Sequence, residues 1–236
     1  LLPSHVERPA YDRAGARIGV VHFGPGAFHR AHQAWCFDEM LKAGGAFAVC
    51  AVAVRSGDVE AALAPQDGLY ALVEREAEPR LRVIGALKEV LTAPRAPDRV
   101  LARLADPAVR IVTATVTEKG YCLTPAGDLD LAHPDVQADL RGDGPPRSFP
   151  GWIAEGLKAR LDARLPPFVT VSCDNLSDNG RRLHRAVVQF AEAMGDLDLR
   201  GFVAGDARFP ATMVDSITPA TDDELREKVR RELGLE

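Results

Sequence analysis

Arg17-Ile18-Gly19-Val20-Val21-His22-Phe23-Gly24-Pro25-Gly26-Ala27-Phe28-His29-Arg30-Ala31-His32-Gln33 is the stretch that decides how this chain is read. Residues 18–23 form the continuous apolar run of a strand buried on both faces. Two glycines follow at once. Gly24 can take backbone angles closed to other residues, and Gly26 has no Cβ to keep an anion from the backbone. From Ala27 the spacing of Phe28, Ala31, Ala34, Trp35, Met40 and Leu41 suits a helix, whose first amides and dipole favour a phosphate. His29 occupies the third position of a G-x-G-x-x-G pattern, so the signal is incomplete; His29 and Arg30 are placed to assist the anion.

The next strand is Ala46–Val54, after a Gly44-Gly45 stop, which completes a strand-helix-strand unit. At its end a dinucleotide fold usually carries an acid for the adenosine ribose. Arg55-Ser56 stands there instead. Arg55 suits stacking on adenine, pairing with a 2′-phosphate, or a solvated strand end, and Asp58 is near enough to act as a displaced ribose ligand.

Residues 58–64 read as a short helix and Pro65 to Gly68 as a loop. Leu69–Arg75 and Leu81–Leu91, separated by Glu78-Pro79, read as an inserted antiparallel pair. A helix over 97–104 and a strand over 110–116 follow. That strand runs into Thr117-Glu118-Lys119-Gly120-Tyr121, at the carboxyl end where open α/β sheets bind ligands. Glu118 and Lys119 are candidates for a ribose or a nicotinamide, or form a local ion pair in a turn. No Y-x-x-x-K pair accompanies Tyr11, Tyr70 or Tyr121.

Residues 124–150, rich in Pro, Gly and Asp, predict a surface excursion with a short helix near 135–140. A helix over 152–165 and a strand over 168–172 lead to Ser172-Cys173-Asp174-Asn175-Leu176-Ser177-Asp178-Asn179-Gly180. Ser177 or Asp178 can cap the amphipathic helix of Leu183, Val187, Phe190 and Met194. The Asn175 carboxamide can stabilise a developing alkoxide or satisfy loop backbone. Asp215, among apolar neighbours, reads as a buried or ligand-facing carboxylate or as a turn acid. Thr221 and Glu224 have capping-box spacing before a charged helix over 222–233.

The chain of 236 residues, 46% hydrophobic, can bury a sizeable core. Its net charge of −5 argues against a nucleic-acid partner. No apolar stretch is long enough to span a bilayer. Cys36, Cys50, Cys122 and Cys173 form no C-x-x-C pair, which suits reduced thiols in a cytoplasmic protein. His29 and His32 lack further ligands at metal spacing, so no metal site is expected. Residues 1–16 read as an extended lead-in across the surface.

Taken in order, GPGAFHRAHQ, APQDGLY, TVTEKGY, SCDNLSDNG and FPATMVDSITP resemble the amino-terminal domain of the polyol-specific long-chain dehydrogenases, the family of mannitol 2-dehydrogenase and fructuronate reductase. The resemblance implies a Rossmann-like, doubly wound, mostly parallel sheet, with the antiparallel pair inserted. It implies NAD, or NADP, as cofactor and a secondary alcohol or ketone of a linear polyol or uronate as substrate, without zinc. Gly24, Gly26, Ala27 and Phe28 would form the pyrophosphate turn, with Arg55, Thr117, Glu118 and Lys119 also on the cofactor. Asn175 would be the oxyanion-stabilising group and Asp215 a substrate contact.

The family's general base is a lysine in a K-x-x-x-x-N-x-x-H arrangement on a second, helical domain, and that arrangement is absent here. Lys228 is the only lysine after the last motif. The expectation is a cofactor-binding domain over 1–219, with 220–236 leading to a helical domain outside this sequence. Such a fragment should bind cofactor yet turn over little. The APQDGLY motif and the Arg55-Ser56 strand end lean toward fructuronate reductase-like members. A dinucleotide-binding or regulatory module without catalysis is the alternative.

Overall fold

The computed structural model describes residues 2–75 and 79–234. Strand β1 (Arg17–Phe23) lies at the centre, every residue after Arg17 buried. It pairs in parallel with β2 (Phe47–Ala53) on one side and β6 (Ile111–Ala114) on the other. With β5 (Leu87–Thr92) beside β2 and β7 (Val169–Ser172) beside β6, the order is β5-β2-β1-β6-β7, all parallel. The chain winds outward to one edge and then returns to the far side of β1. Such a reversal opens a crevice beyond the carboxyl ends of the two central strands.

Alternation along the strands divides the core. One face carries Val21, Phe23, Val52 and Val112 against Phe149, Trp152 and Phe190. These belong to α6 (Phe149–Asp162) and α7 (Asn179–Ala193), which share that layer with α4 (Pro97–Ala105) and α8 (Leu197–Gly205). The other face carries Val20 and Ala51 against Leu41 of α2 (Gln33–Lys42) and Leu63 of α3 (Asp58–Leu63). Helix α8 has no counterpart among the expected elements; the Asp196 side chain starts it by accepting the Leu199 N–H at 2.9 Å. Helix α5 (Pro134–Arg141) falls in the expected excursion.

The run expected as one strand over 81–91 is two. Residues Arg80–Ile84 (β4) pair antiparallel with Tyr70–Glu74 (β3), while β5 joins the parallel sheet. The break is at Gly85, whose backbone is claimed by side chains: its N–H donates to Asp38 Oδ1 at 2.8 Å and its carbonyl accepts from Arg13 Nε at 2.9 Å. A ladder cannot pass through a residue whose polar groups are already used. Of the expected Glu78-Pro79 separator, Glu78 lies outside the described residues. The helix expected from Ala27 is also split, into α1 (Ala27–Ala31) and α2, at His32, whose ring lies 3.1 Å from Thr218 Oγ1.

Both cap expectations need correction. Asp222, not Thr221, caps α9 (Asp223–Leu233) by accepting the Leu225 N–H at 2.8 Å. Asp178 precedes α7 in a left-handed conformation, and neither it nor Ser177 makes a side-chain cap there. The lead-in is more than a surface strap: Val6 is buried, and Glu7 bridges to Arg82 of β4. Among the described residues no helix is long and apolar enough to cross a membrane.

Candidate dinucleotide and substrate site

Gly24 ends β1 with φ +84, and a Cβ there would lie 2.2 Å from the Thr115 carbonyl oxygen. Only glycine allows the turn to sit this close to the exit of β6. Gly26 differs: its Cβ would meet nothing nearer than Gly24 O at 3.9 Å, so the space above it is open. Gly26 and Ala27 are exposed, and the first turn of α1 leaves amides without intrahelical partners. The turn is therefore a cradle that fits a pyrophosphate, closed on its sheet side and open on its solvent side.

His29 does not face that opening. Its buried ring stacks on His22 of β1, with centroids 3.4 Å apart and planes 11° from parallel. His22 contacts Thr113 Oγ1 at 2.7 Å and Thr115 Oγ1 at 3.0 Å, and the Thr115 hydroxyl donates to Gly24 O at 2.7 Å. Burial pushes His22 down to about 3 and His29 well below the usual imidazole range, so both rings are neutral and can stack without charge repulsion. Where a third glycine would permit close packing of helix on strand, two flat rings make the contact instead. Arg30 stays at the turn, its guanidinium donating to Pro25 O, between the two glycines, at 2.6 Å.

Two cavities flank the turn. The first, about 290 Å³, is lined by Gly24, Arg55, Thr117, Lys119 and Asp135 among others. Arg55, with its side chain 74% exposed, lies 3.6 Å from Asp135. Asp58 is hydrogen-bonded by Ser56. The second cavity, about 660 Å³, brings together Gly26, Ala27, Phe28, Thr117, Asn175 and Asp215. Glu118 is exposed and lines neither. Asp215 is exposed rather than buried, its side chain meeting only Ser216 Oγ at 3.3 Å among the described residues. Asn175 is likewise exposed, free to point a carboxamide at a ligand. Another cavity, about 630 Å³, lies between Trp35, β3 and α9 and shares Ile217 and Thr218 with the second.

Two residues that the sequence left without a role build the far wall. Asp174 accepts the Val116 N–H at 2.9 Å, the Thr117 N–H at 3.1 Å and the Tyr121 O–H at 2.7 Å. Asn179, 1% exposed, donates to Asp174 O and Thr212 O, both at 3.2 Å, and accepts the Thr212 N–H at 3.0 Å. It thereby ties the exit of β7 to the segment that carries Asp215 over the cavity. The motif holds both amides and both acids within six residues, and nothing in their local spacing distinguishes the outward Asn175 from the inward Asn179. Among the described residues no group of three or more His, Cys, Asp or Glu side chains could hold a metal ion.

The family described as mannitol dehydrogenase Rossmann domain matches residues 18–233. The uncharacterized oxidoreductase YeiQ of Escherichia coli is 41% identical over 99% of this chain and 49% of its own length. Polyol:NADP oxidoreductase of Gluconobacter oxydans is 38% identical over 100% of this chain and 50% of its own. The structure of Pseudomonas fluorescens mannitol 2-dehydrogenase in ternary complex with NAD and D-mannitol superposes with a TM-score of 0.92 at 36% identity, covering 99% of this chain and 49% of that one. The chain thus spans about half the length of the relatives it matches. A parallel sheet wound in this order, a glycine turn between two cavities and a family match over nearly the whole chain have one reading: the chain belongs to the mannitol dehydrogenase family, as its Rossmann domain.

Proposed function

We propose that the chain is the cofactor-binding part of an NAD(P)-dependent oxidoreductase that interconverts a secondary alcohol and a ketone on a linear polyol. The observation that carries this is the single cradle at Gly24–Phe28 shared by two cavities, one leading to the end of β2 and one holding Asn175 and Asp215. A dinucleotide needs such a layout: a pyrophosphate site in the middle, adenosine on one side and the reacting ring beside the substrate on the other. Nicotinamide, when bound, supplies or accepts the hydride. The Asn175 carboxamide N–H would stabilise negative charge developing on the substrate oxygen, and Asp215 would accept hydrogen bonds from substrate hydroxyls. The base that takes the alcohol proton would be a lysine in a further helical domain, and residues 220–236 would lead to it.

A neutral polyol suits the second cavity better than a uronate. Its described lining residues include Asp174 and Asp215 and no lysine or arginine. A substrate carboxylate there would meet like charge with no cation to offset it. Fructuronate reductase activity would therefore need a cation from elsewhere in the whole protein.

NAD is the proposed cofactor, with NADP accommodated through Arg55. The residue directly at the end of β2 is the cation Arg55 rather than an acid, and its side chain, 74% exposed beside Asp135, can reach a 2′-phosphate. The names of two relatives support both choices: one structure holds NAD and one enzyme is called an NADP oxidoreductase. Four free cysteines suit a reduced, cytoplasmic setting.

The test is fluorescence titration of the protein with NADH and NADPH, followed by turnover of the full-length protein on D-mannitol, D-fructose and D-fructuronate. Binding with turnover of the neutral sugars is expected, with R55A weakening NADPH more than NADH. Binding without any turnover by the full-length protein would favour a dinucleotide-binding or regulatory module. Binding of neither cofactor would overturn the reading.

A further inference from the structure

Thr117 has φ 67 and ψ 162, a backbone region populated almost only by glycine. For a β-branched residue this is a costly conformation, held only where its surroundings over-determine it. The restraint is visible. Both oxygens of Asp174 are used on this one turn, Oδ1 by the Thr117 N–H at 3.1 Å and Oδ2 by the Val116 N–H at 2.9 Å, with the buried Tyr121 hydroxyl also on Oδ2 at 2.7 Å. Tyr121 is itself fixed by contact with Ser172 Oγ at 2.7 Å. On the other side, the Thr117 carbonyl accepts the Gly120 N–H at 2.9 Å. The turn thus hangs from a carboxylate on the neighbouring strand end rather than from its own ladder.

Thr117 also lines both cavities that flank the glycine turn. Two residues before it, the Thr115 carbonyl is the group a Gly24 side chain would strike. A strained residue between two ligand cavities, fixed by a carboxylate with no charged partner among the described residues, has no evident purpose in the core.

We infer that Asp174 is a positioning residue: it holds Thr117 in its strained conformation, and so sets the wall against which the cofactor lies between the two cavities. The inference rests on the cofactor-binding reading above. Asp174 need not touch the cofactor. Released from the clamp, Thr117 would relax toward an ordinary extended conformation and swing its peptide, and the partition between the cavities would shift.

The test is a cycle of D174N, T117G and the double variant in the full-length protein. Asparagine has the same shape but one acceptor oxygen instead of two, so it turns an N–H toward a backbone N–H or the Tyr121 hydroxyl. The expected result is a rise of about tenfold in the NADH (or NADPH) dissociation constant for D174N, measured well below its melting temperature. In the T117G background, where the conformation costs nothing, the same D174N change should raise it less than about threefold. T117G alone should raise the melting temperature, because glycine removes the strain.

An aspartate that merely supports the fold would lower the melting temperature without moving cofactor affinity, and its effect would be the same in the unaltered and the T117G backgrounds; either result overturns the inference. If the unaltered protein bound neither cofactor, the functional reading would fall. The melting temperature of T117G would still report whether the clamp stores strain, and a fall there would overturn the clamp as well.

Discussion

Two of the places where this molecule gathers charged and polar side chains, the Arg82 cluster and the strand ends at the glycine turn, are built on opposite plans. Around Arg82, with its side chain 7% exposed, the partners are other charges: Glu7 at 2.5 Å, Glu39 at 3.1 Å and Glu74 at 3.2 Å, with Trp35 beneath the guanidinium at 5.6 Å. Lys42 adds pairs to Glu7 at 2.5 Å and Asp38 at 3.4 Å. This cluster joins the lead-in, α2 and the β3–β4 ribbon. At the strand ends the partners are neutral instead: stacked imidazoles, threonine hydroxyls and backbone N–H groups. Opposite charges satisfy one another and hold elements together, whereas at the strand ends neutral donors hold the Asp174 carboxylate in the wall and leave Asp215 facing its cavity. The first cluster should therefore govern stability and the second should govern binding.

The largest expected effect breaks the first cluster alone. R82A removes the buried cation that Glu7, Glu39 and Glu74 share, leaves Lys42 to pair with Glu7 and Glu39 alone and strips Glu74 of its ion pair, and should destabilise the protein by about 3 kcal/mol in urea unfolding. Cofactor affinity of the folded protein should stay within a factor of about two. A parallel loss of affinity would show that the two regions are coupled.

G24A comes next and acts at the other region. Positive φ and the clash with Thr115 O should cost about 2 kcal/mol of stability and weaken cofactor binding at the same time. G26A sharpens the contrast, because a Cβ there meets open space. It should unfold like the unaltered protein yet bind NADH about tenfold more weakly, since the methyl group occupies the approach of the pyrophosphate.

The smallest effects are in the pH dependence, where the regions occupy different windows. Glu7 is lowered from 4.5 to about 2, chiefly by the hydrogen bond from Arg82. The stability it contributes is complete above about pH 4.5 and is lost as pH falls toward 2. Burial depresses His22 from 6.5 to about 3, so the unfolded chain binds the proton first and stability falls as pH drops below 6.5. His29 shifts in the same direction. Urea midpoints taken stepwise in pH should show H29A flattening the decline between 6.5 and 4.5, and E7Q flattening only the part below 4.5.

Much of this architecture can be read along the chain. The apolar run of β1, the glycines behind it and the period of the following residues are local properties, and they place the strand, the turn and the helix start where the structure has them. The ends of β2, β6 and β7 are legible for the same reason. Where the reading fails, a distant residue has intervened. The strand expected over 81–91 breaks because Asp38 and Arg13, 47 and 72 positions away, take the polar groups of Gly85. His29 has the look of an anion ligand until His22 is found across from it. Asp215 reads as a carboxylate among apolar neighbours, yet Met213 and Ile217 beside it are themselves 87% and 84% exposed, so those neighbours form no core around it.

The sequence by itself determined the parallel α/β class, the glycine turn after β1 and the family resemblance, because strand and turn propensities depend on residues within a few positions of one another. Only the tertiary structure decided which side chains face the cavities and which are spent holding them. Asn175 and Asn179 are the same residue type four positions apart, and one points to solvent while the other is buried against Thr212. Asp174 gains its role from backbone groups 57 and 58 positions away. Hydrogen bonds across strands are made by proximity in space, and no local pattern encodes them.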